Sequence, residues 1–133
     1  MIELIDCSII KALNINLMTT DLTQQKCIPC LGGEVAITPA EIAAFQPQIP
    51  DWCQFEVRGE ERIERLYQFK DFKTAIAFTN AVGDLAEAAA HHPAILTEWG
   101  KVTVTWWTHT VGGLHLNDLI MAAQTDSIAK QFS

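Results

Sequence analysis

The pattern of the chain predicts an α+β domain, a four-stranded antiparallel sheet with three helices packed on one face in the order α-β-β-α-β-β-α. Two observations predict the sheet: paired stretches of alternating apolar and polar residues occur twice, and a glycine sits between the members of each pair. A third predicts the helices. Between the pairs, apolar residues recur at three-to-four spacing from Asp71 to Ala90, and helical patterns also precede the first pair and follow the second. At 133 residues the chain holds one core of useful size and not two.

The elements follow in order. In residues 1–20, Ile2, Ile5, Ile9 and Leu13 are spaced for a weak amphipathic helix. Glu3 and Asp6 stand where a signal peptide is positive, and no small-residue cleavage site follows, so this stretch is expected to be a dispensable N-terminal extension. The domain proper is expected over 21–133, and a large loss of activity on deleting residues 1–17 would contradict this division. Asp21 to Val35 is loop-like, punctuated by Pro29 and Gly32-Gly33. Thr38-Pro39-Ala40-Glu41 is a capping box with proline at the first helical position, and Pro47 and Pro50 close the short helix it starts.

Trp52 to Arg58 alternates with Cys53, Phe55 and Val57 on one face. Gly59-Glu60 offers a turn, and Arg62 to Phe69 returns with Ile63, Tyr67 and Phe69 aligned. On the long helix, Phe72, Ala75, Ile76, Thr79, Val82, Ala86 and Ala89 share the expected inner face. Pro93 disfavours helix at His92 and should end it there. A short strand near Ile95 to Glu98 and a turn at Gly100 lead into Lys101 to His109. There Val102, Val104 and Trp106 point one way, and Thr103, Thr105, Trp107 and His109 the other. After Gly112-Gly113 a last helix is expected from Leu116 to Gln131, with Leu116, Leu119, Ile120, Ala123 and Ile128 inward.

A net charge of −7 argues against nucleic acid and against an anionic membrane surface as partners. No apolar run approaches the length that spans a bilayer. Of the four cysteines, at 7, 27, 30 and 53, only Cys27 and Cys30 form a C-x-x-C. No second pair with zinc-ligand spacing and no flanking βαβ pattern accompanies them, so free thiols in a reducing cytoplasm are the default.

Chemistry concentrates between Glu87 and His109, which hold three of the four histidines. Glu87 and His91 are four apart, so on a helix they would share a face and touch. His91 and His92 fall at the C-terminal end of the helix, where the macrodipole and Glu87 favour charge on His91. The strand ending at His109 could bring a third imidazole to the same pocket, giving an acid–base site with no nucleophile beside it. An isolated His-His-Pro is more often structural than catalytic. Asp118, in the first turn of the last helix, has an ordinary role there through the dipole as well as a functional one. Trp106 and Trp107 point oppositely, so at most one faces a ligand. Trp106 shares its face with Val102 and Val104 and belongs to the core.

The spacing is more specific than any dipeptide. Glu87, three residues, His91-His92-Pro93, five residues, Trp99, nine residues, His109, eight residues, Asp118: this pattern resembles the signature of the pterin-4a-carbinolamine dehydratases. The similarity runs from about Asp21 to Phe132 and includes the Lys-Cys-Ile-Pro-Cys-Leu-Gly-Gly lead-in. It implies that His91, His92 and His109 are the catalytic and pterin-binding histidines, that Glu87 and Asp118 support them, and that Trp99 walls the pocket. Pro93, Thr108, Thr110 and Val111 would line the substrate. The implied reaction is dehydration of a 4a-hydroxytetrahydropterin to a quinonoid dihydropterin in tetrahydrobiopterin recycling, with no cofactor and no metal. Homodimers or homotetramers and a link to an aromatic amino acid hydroxylase are also implied. The alternative within the same fold is a non-catalytic dimerisation or assembly module, which would be expected to lose the histidines. Metal binding by His91, His92 and His109 fits the residue types but lacks a placed further ligand. Two departures stand out: His115 stands where many members cap the last helix with Ser or Thr, leaving that helix start weaker, and Thr110 replaces an acid found in some animal members.

Overall fold

The first helix, α1 (Pro39–Phe45), begins as the capping box requires: Thr38 Oγ1 accepts from the Glu41 amide at 3.2 Å, and Glu41 Oε1 accepts from the Thr38 amide at 3.2 Å. The computed structural model describes residues 20–28 and 35–132. The expected amphipathic stretch before Thr20, together with Cys7, Cys30 and Gly32-Gly33, lies outside the described residues.

Strands β1 (Cys53–Val57) and β2 (Glu60–Gln68) form the first hairpin. Its turn is Arg58-Gly59 rather than Gly59-Glu60, because both have positive φ (54° and 81°), the combination a tight two-residue hairpin needs. Glu60 is therefore the first residue of β2, opposite Val57. Strands β3 (Ala94–Glu98) and β4 (Lys101–Trp106) form the second hairpin around Trp99-Gly100. Gly100 has φ +69° and leaves a Cβ only 3.0 Å from the Phe69 carbonyl, so glycine is required on both counts. All pairings are antiparallel, in the order β1-β2-β4-β3.

Register sorts the two faces. Ile63, Arg65 and Tyr67 of β2 lie opposite Trp106, Val104 and Val102 of β4, and all but Arg65 are buried under the helices. Glu64 and Leu66 pair with Thr105 and Thr103 on the other face, where Leu66 and Leu96 are exposed.

Helix α2 (Phe72–Ala89) starts at Asp71, whose carboxylate accepts from the Thr74 amide at 2.8 Å. Its buried residues are Ala75, Phe78, Val82 and Ala86. The inner face is therefore rotated from the expected one: Phe72 and Ile76 are exposed, and Phe78 sits between the rings of Tyr67, Phe69 and Phe132. The last helix, α3 (Leu116–Ala129), buries every residue from Asn117 to Ala123 and also Thr125. A one-sided stripe does not describe such a helix. It lies among α2, β4 and the turn at Leu22–Gln24, so from Asn117 to Ala123 no side of it meets water. Leu116 and Ile128, expected inside, are half-buried.

Candidate active site

Helix α2 stops two residues before the position that Pro93 would enforce. Ala90 adopts the left-handed conformation (φ 53°), the His91 amide donates to the Ala86 carbonyl at 3.2 Å, and the Ala90 amide donates to the Glu87 carbonyl at 3.2 Å. This pattern of two bonds closes a helix end, usually around glycine. It turns the chain sharply, so His91 leaves the helix axis and loses the one-turn relation to Glu87. The expected Glu87–His91 contact is therefore absent. His91 Nε2 instead lies 2.6 Å from Asp118 Oδ1, and Glu87 Oε1 lies 2.6 Å from His92 Nε2.

Asp118 is fully buried and carries three hydrogen bonds. Besides His91, it accepts from Thr108 Oγ1 at 2.7 Å and from the His115 amide at 2.9 Å, both on Oδ2. The second of these is half of a capping box. The other half is His115 itself, whose Nδ1 accepts from the Asn117 amide at 3.0 Å. The start of α3 is thus capped by an imidazole, contrary to the expectation of a weak start, because a neutral ring nitrogen accepts as a hydroxyl oxygen does. The His91 ring also stacks on buried Trp106, with centroids 5.5 Å apart and planes 20° apart. Two independent contacts, one polar and one apolar, fix its orientation.

Strand β4 ends at Trp106, so His109 is not on it. His109 opens a 3-10 turn (His109–Val111) that is closed by backbone bonds between Thr108 and Gly113. Its side chain is 92% exposed, with Nδ1 3.5 Å from Glu60 Oε2. Between these pieces lies a cleft of about 260 Å³ lined by Ala90, His91, His92, Trp107, Thr108, His109 and Thr110. All three histidines expected to converge do so. A larger cavity of about 630 Å³ lies beside Arg65, Tyr67 and Asp126. There Asp126 accepts from Trp52 Nε1 at 3.0 Å, from Arg65 Nη1 at 2.7 Å and from the Tyr67 hydroxyl. That carboxylate is saturated by its neighbours, and the network is structural. Burial, with the Asp126 carboxylate beside it, pushes the Tyr67 phenol far above its ordinary value.

Comparison with known proteins decides the family. Residues 35–128 match the family model described as pterin 4 alpha carbinolamine dehydratase. The chain belongs to that family. A Microcystis aeruginosa protein, named as a candidate pterin-4-alpha-carbinolamine dehydratase, is 61% identical over 112 residues, covering 84% of this chain and 97% of its own. A Gloeobacter violaceus relative with the same kind of name is 53% identical over 111 residues, covering 84% and 96%. Among solved structures, a Brucella melitensis protein titled transcriptional coactivator/pterin dehydratase is similar with a TM-score of 0.63 at 33% identity, covering 71% of this chain and 98% of its own. A pterin dehydratase-like protein identified as a RuBisCO assembly factor in the alpha-carboxysome shares the fold, with a TM-score of 0.51 at 21% identity, covering 59% and 89%.

Of the residues that the family resemblance singles out, His91, His92, Thr108, His109 and Thr110 line the cleft. Asp118 lies behind His91 and Thr108, and Glu87 lies against His92. Pro93 and Val111 flank the lining residues in the chain and do not themselves line it. Trp99 stands apart: it occupies the β3–β4 turn, 71% exposed, at the opposite end of the hairpin from His109. At about 3.3 Å per strand residue this places it well over 10 Å from the cleft within one chain. Besides Ala90, Trp107 is the lining residue that the family pattern does not single out. Its alternation with Trp106 is the available signal, since only one of the two can enter the core. Among the described residues no three His, Cys, Asp or Glu side chains are grouped to hold a metal ion, and no helix is long and apolar enough to cross a membrane.

Proposed function

We propose that this chain dehydrates a 4a-hydroxytetrahydropterin to the quinonoid dihydropterin and water, as a step of tetrahydrobiopterin recycling, by proton transfer between histidines. The observation that carries the reading is the pairing of His91 with Asp118 at the wall of a cleft that His92 and His109 also line. The reaction needs one proton delivered to the departing hydroxyl at C4a and one removed from N5. A placed acid or base contributes roughly 100- to 10,000-fold to each such step. A carboxylate can only accept, and Oδ2 already takes two donors, so on this reading His91 Nε2 carries a hydrogen toward Asp118 Oδ1. Nδ1 is left as the nitrogen that serves the cleft. In the protonated ring Nδ1–H is the acid for the hydroxyl, and His109 is the base for N5. His92, exposed and tied to Glu87, positions the ring of the substrate.

Retention of all three histidines favours this reading over a purely assembling role. Exposed Leu66 and Leu96 on the open sheet face, and Phe72 and Ile76 on α2, support a homo-oligomer. The test is the absorbance decay of freshly generated 4a-hydroxypterin with and without the protein. Acceleration by the native chain and its loss in His91→Ala and His109→Ala are expected. Full turnover without either histidine would sink the assignment.

A further inference from the structure

We propose that Glu60 and Arg62, reaching over from the first hairpin, form a charged clamp that positions His109 and Trp107 in the cleft. The inference rests on the reading of His109 as a proton-transfer group.

Neither residue stands out in the sequence, and neither is near the histidine segment in the chain. The register brings them there. Ile63 pairs with Trp106 on the helix side, so the outward residues Arg62 and Trp107, opposite each other one step beyond that pair, face the same open surface. The Arg62 guanidinium lies over the Trp107 ring, its carbon 3.9 Å from the centroid. Its Nη2 donates to Glu60 Oε1 at 3.0 Å, and the other oxygen of Glu60, Oε2, faces His109 Nδ1 at 3.5 Å. The Glu60 and Arg62 side chains are only 18% and 23% exposed, whereas His109 is almost wholly in water. A long acid and a long base held that tightly at a sheet surface have lost rotamer freedom, which favours a positioning role. Arg62 Nε is buried with no hydrogen-bond partner among the described residues, so the guanidinium is placed by the Trp107 face and by Glu60.

For His109 the consequence is orientation. Nothing else described holds its exposed ring, and a carboxylate on Nδ1 turns Nε2 toward the cleft and fixes which nitrogen exchanges the proton. The charged and titratable groups facing His109 are Glu60 directly, Arg62 behind it, and His91 and His92 with Glu87 across the cleft. For Trp107, Arg62 covers one face of the indole and stiffens a wall of the cleft.

The experiment reads the ring nitrogen shifts of His109 by NMR in the full chain, at a pH where the ring is neutral, with His109 assigned by its loss in His109→Asn. The native ring is expected to keep its hydrogen on Nδ1, which faces Glu60 Oε2. In Glu60→Gln the single oxygen stays with Arg62 Nη2 and an NH2 faces Nδ1, so the hydrogen is expected to move to Nε2. In Arg62→Gln the preference is expected to weaken, because Glu60 loses its anchor. His91 and His92 should keep their tautomers in both variants. In turnover, Glu60→Gln should lower kcat more than it alters KM, and Glu60→Asp should recover part of the loss. Arg62→Lys keeps the charge without a guanidinium over the indole and should restore the His109 tautomer and not kcat. A His109 tautomer that is the same in the native chain, Glu60→Gln and Arg62→Gln overturns the clamp, whatever the activity. If the tautomer changes while the native protein shows no dehydratase turnover, the clamp stands and the dehydratase reading fails. Should Glu60→Gln not fold, the His109 tautomers of Arg62→Gln and Glu60→Asp decide the same question.

Discussion

Asp118→Asn separates orientation from architecture within one side chain. Asp118 uses Oδ2 for Thr108 and the His115 amide, and Oδ1 for His91. An asparagine of the same shape keeps its single oxygen at the Oδ2 position, where two donors wait, and so presents its NH2 to His91 Nε2. Two donors then face each other. The neutral imidazole responds by moving its hydrogen to Nδ1, and the protonated ring, which needs Nε2–H, loses its acceptor. The fold loses one charge-assisted hydrogen bond, about 1.5–3 kcal/mol. On the proposed mechanism catalysis loses the correct tautomer of its acid, about 100- to 10,000-fold in kcat. Asp118→Ala strands Thr108 and the His115 amide as well, raising the stability cost to about 3–5 kcal/mol. Three measurements belong together: turnover on 4a-hydroxypterin, denaturant unfolding, and the ring nitrogen shifts of His91. Full turnover in a folded Asp118→Asn whose His91 tautomer has switched would refute the reasoning, because the cleft would then be indifferent to which nitrogen carries the proton.

Other predictions are simpler. His115→Ala removes the imidazole that caps α3 and should cost about 1 kcal/mol, or roughly 4 °C in Tm, while His115→Ser keeps most of the stability. Ala90→Gly relieves a left-handed alanine at the end of α2 and should stabilise by about 0.5–1 kcal/mol in denaturant melts; destabilisation would mean the Ala90 methyl packs more usefully than its position in the cleft wall suggests. Tyr67 has its folded-state pKa raised by burial first and by Asp126 second, so its contribution to stability is fully present below its ordinary value near 10 and is lost as pH rises beyond it. Alkaline unfolding should therefore steepen above about pH 10 by up to about 1.4 kcal/mol per pH unit, and Tyr67→Phe should remove that slope.

The sheet and its register are legible in the sequence because β4 alternates cleanly: Val102, Val104 and Trp106 can only be the buried row, and all three are. The capping box at Thr38 is equally plain, since its partners are local. What does not show is everything set by one backbone angle or by distant pairing. A left-handed alanine has no sequence signal, so Pro93 alone suggests where α2 ends, and Glu87 pairs with a different histidine from the one that helical spacing indicates. Phe78 is hidden because its neighbours Phe72 and Ile76 fit a three-to-four stripe equally well, and only the Tyr67–Phe69 surface chooses between them. His115 looks like a departure when capping is judged by residue type. Its acceptor nitrogen fills the same place, and that depends on a tautomer no sequence displays.

These differences converge on one feature of the site. The left-handed turn at Ala90 swings His91 away from Glu87 and down to the start of α3, and the Thr108–Gly113 bridge brings β4 to the same point from the other side. One buried carboxylate meets both. Asp118 completes the capping box of a helix buried on every side from Asn117 to Ala123, and it also holds the ring that faces the cleft. A helix cap and a catalytic orienter are usually different residues, free to vary independently. On the proposed mechanism they share one carboxylate here, so most substitutions at 118 should depress stability and turnover together. The ordinary and the functional explanations of Asp118 are then not rivals. The rigidity that a buried cap imposes on the first turn of α3 is the same rigidity that keeps His91 Nε2 within 2.6 Å of its acceptor.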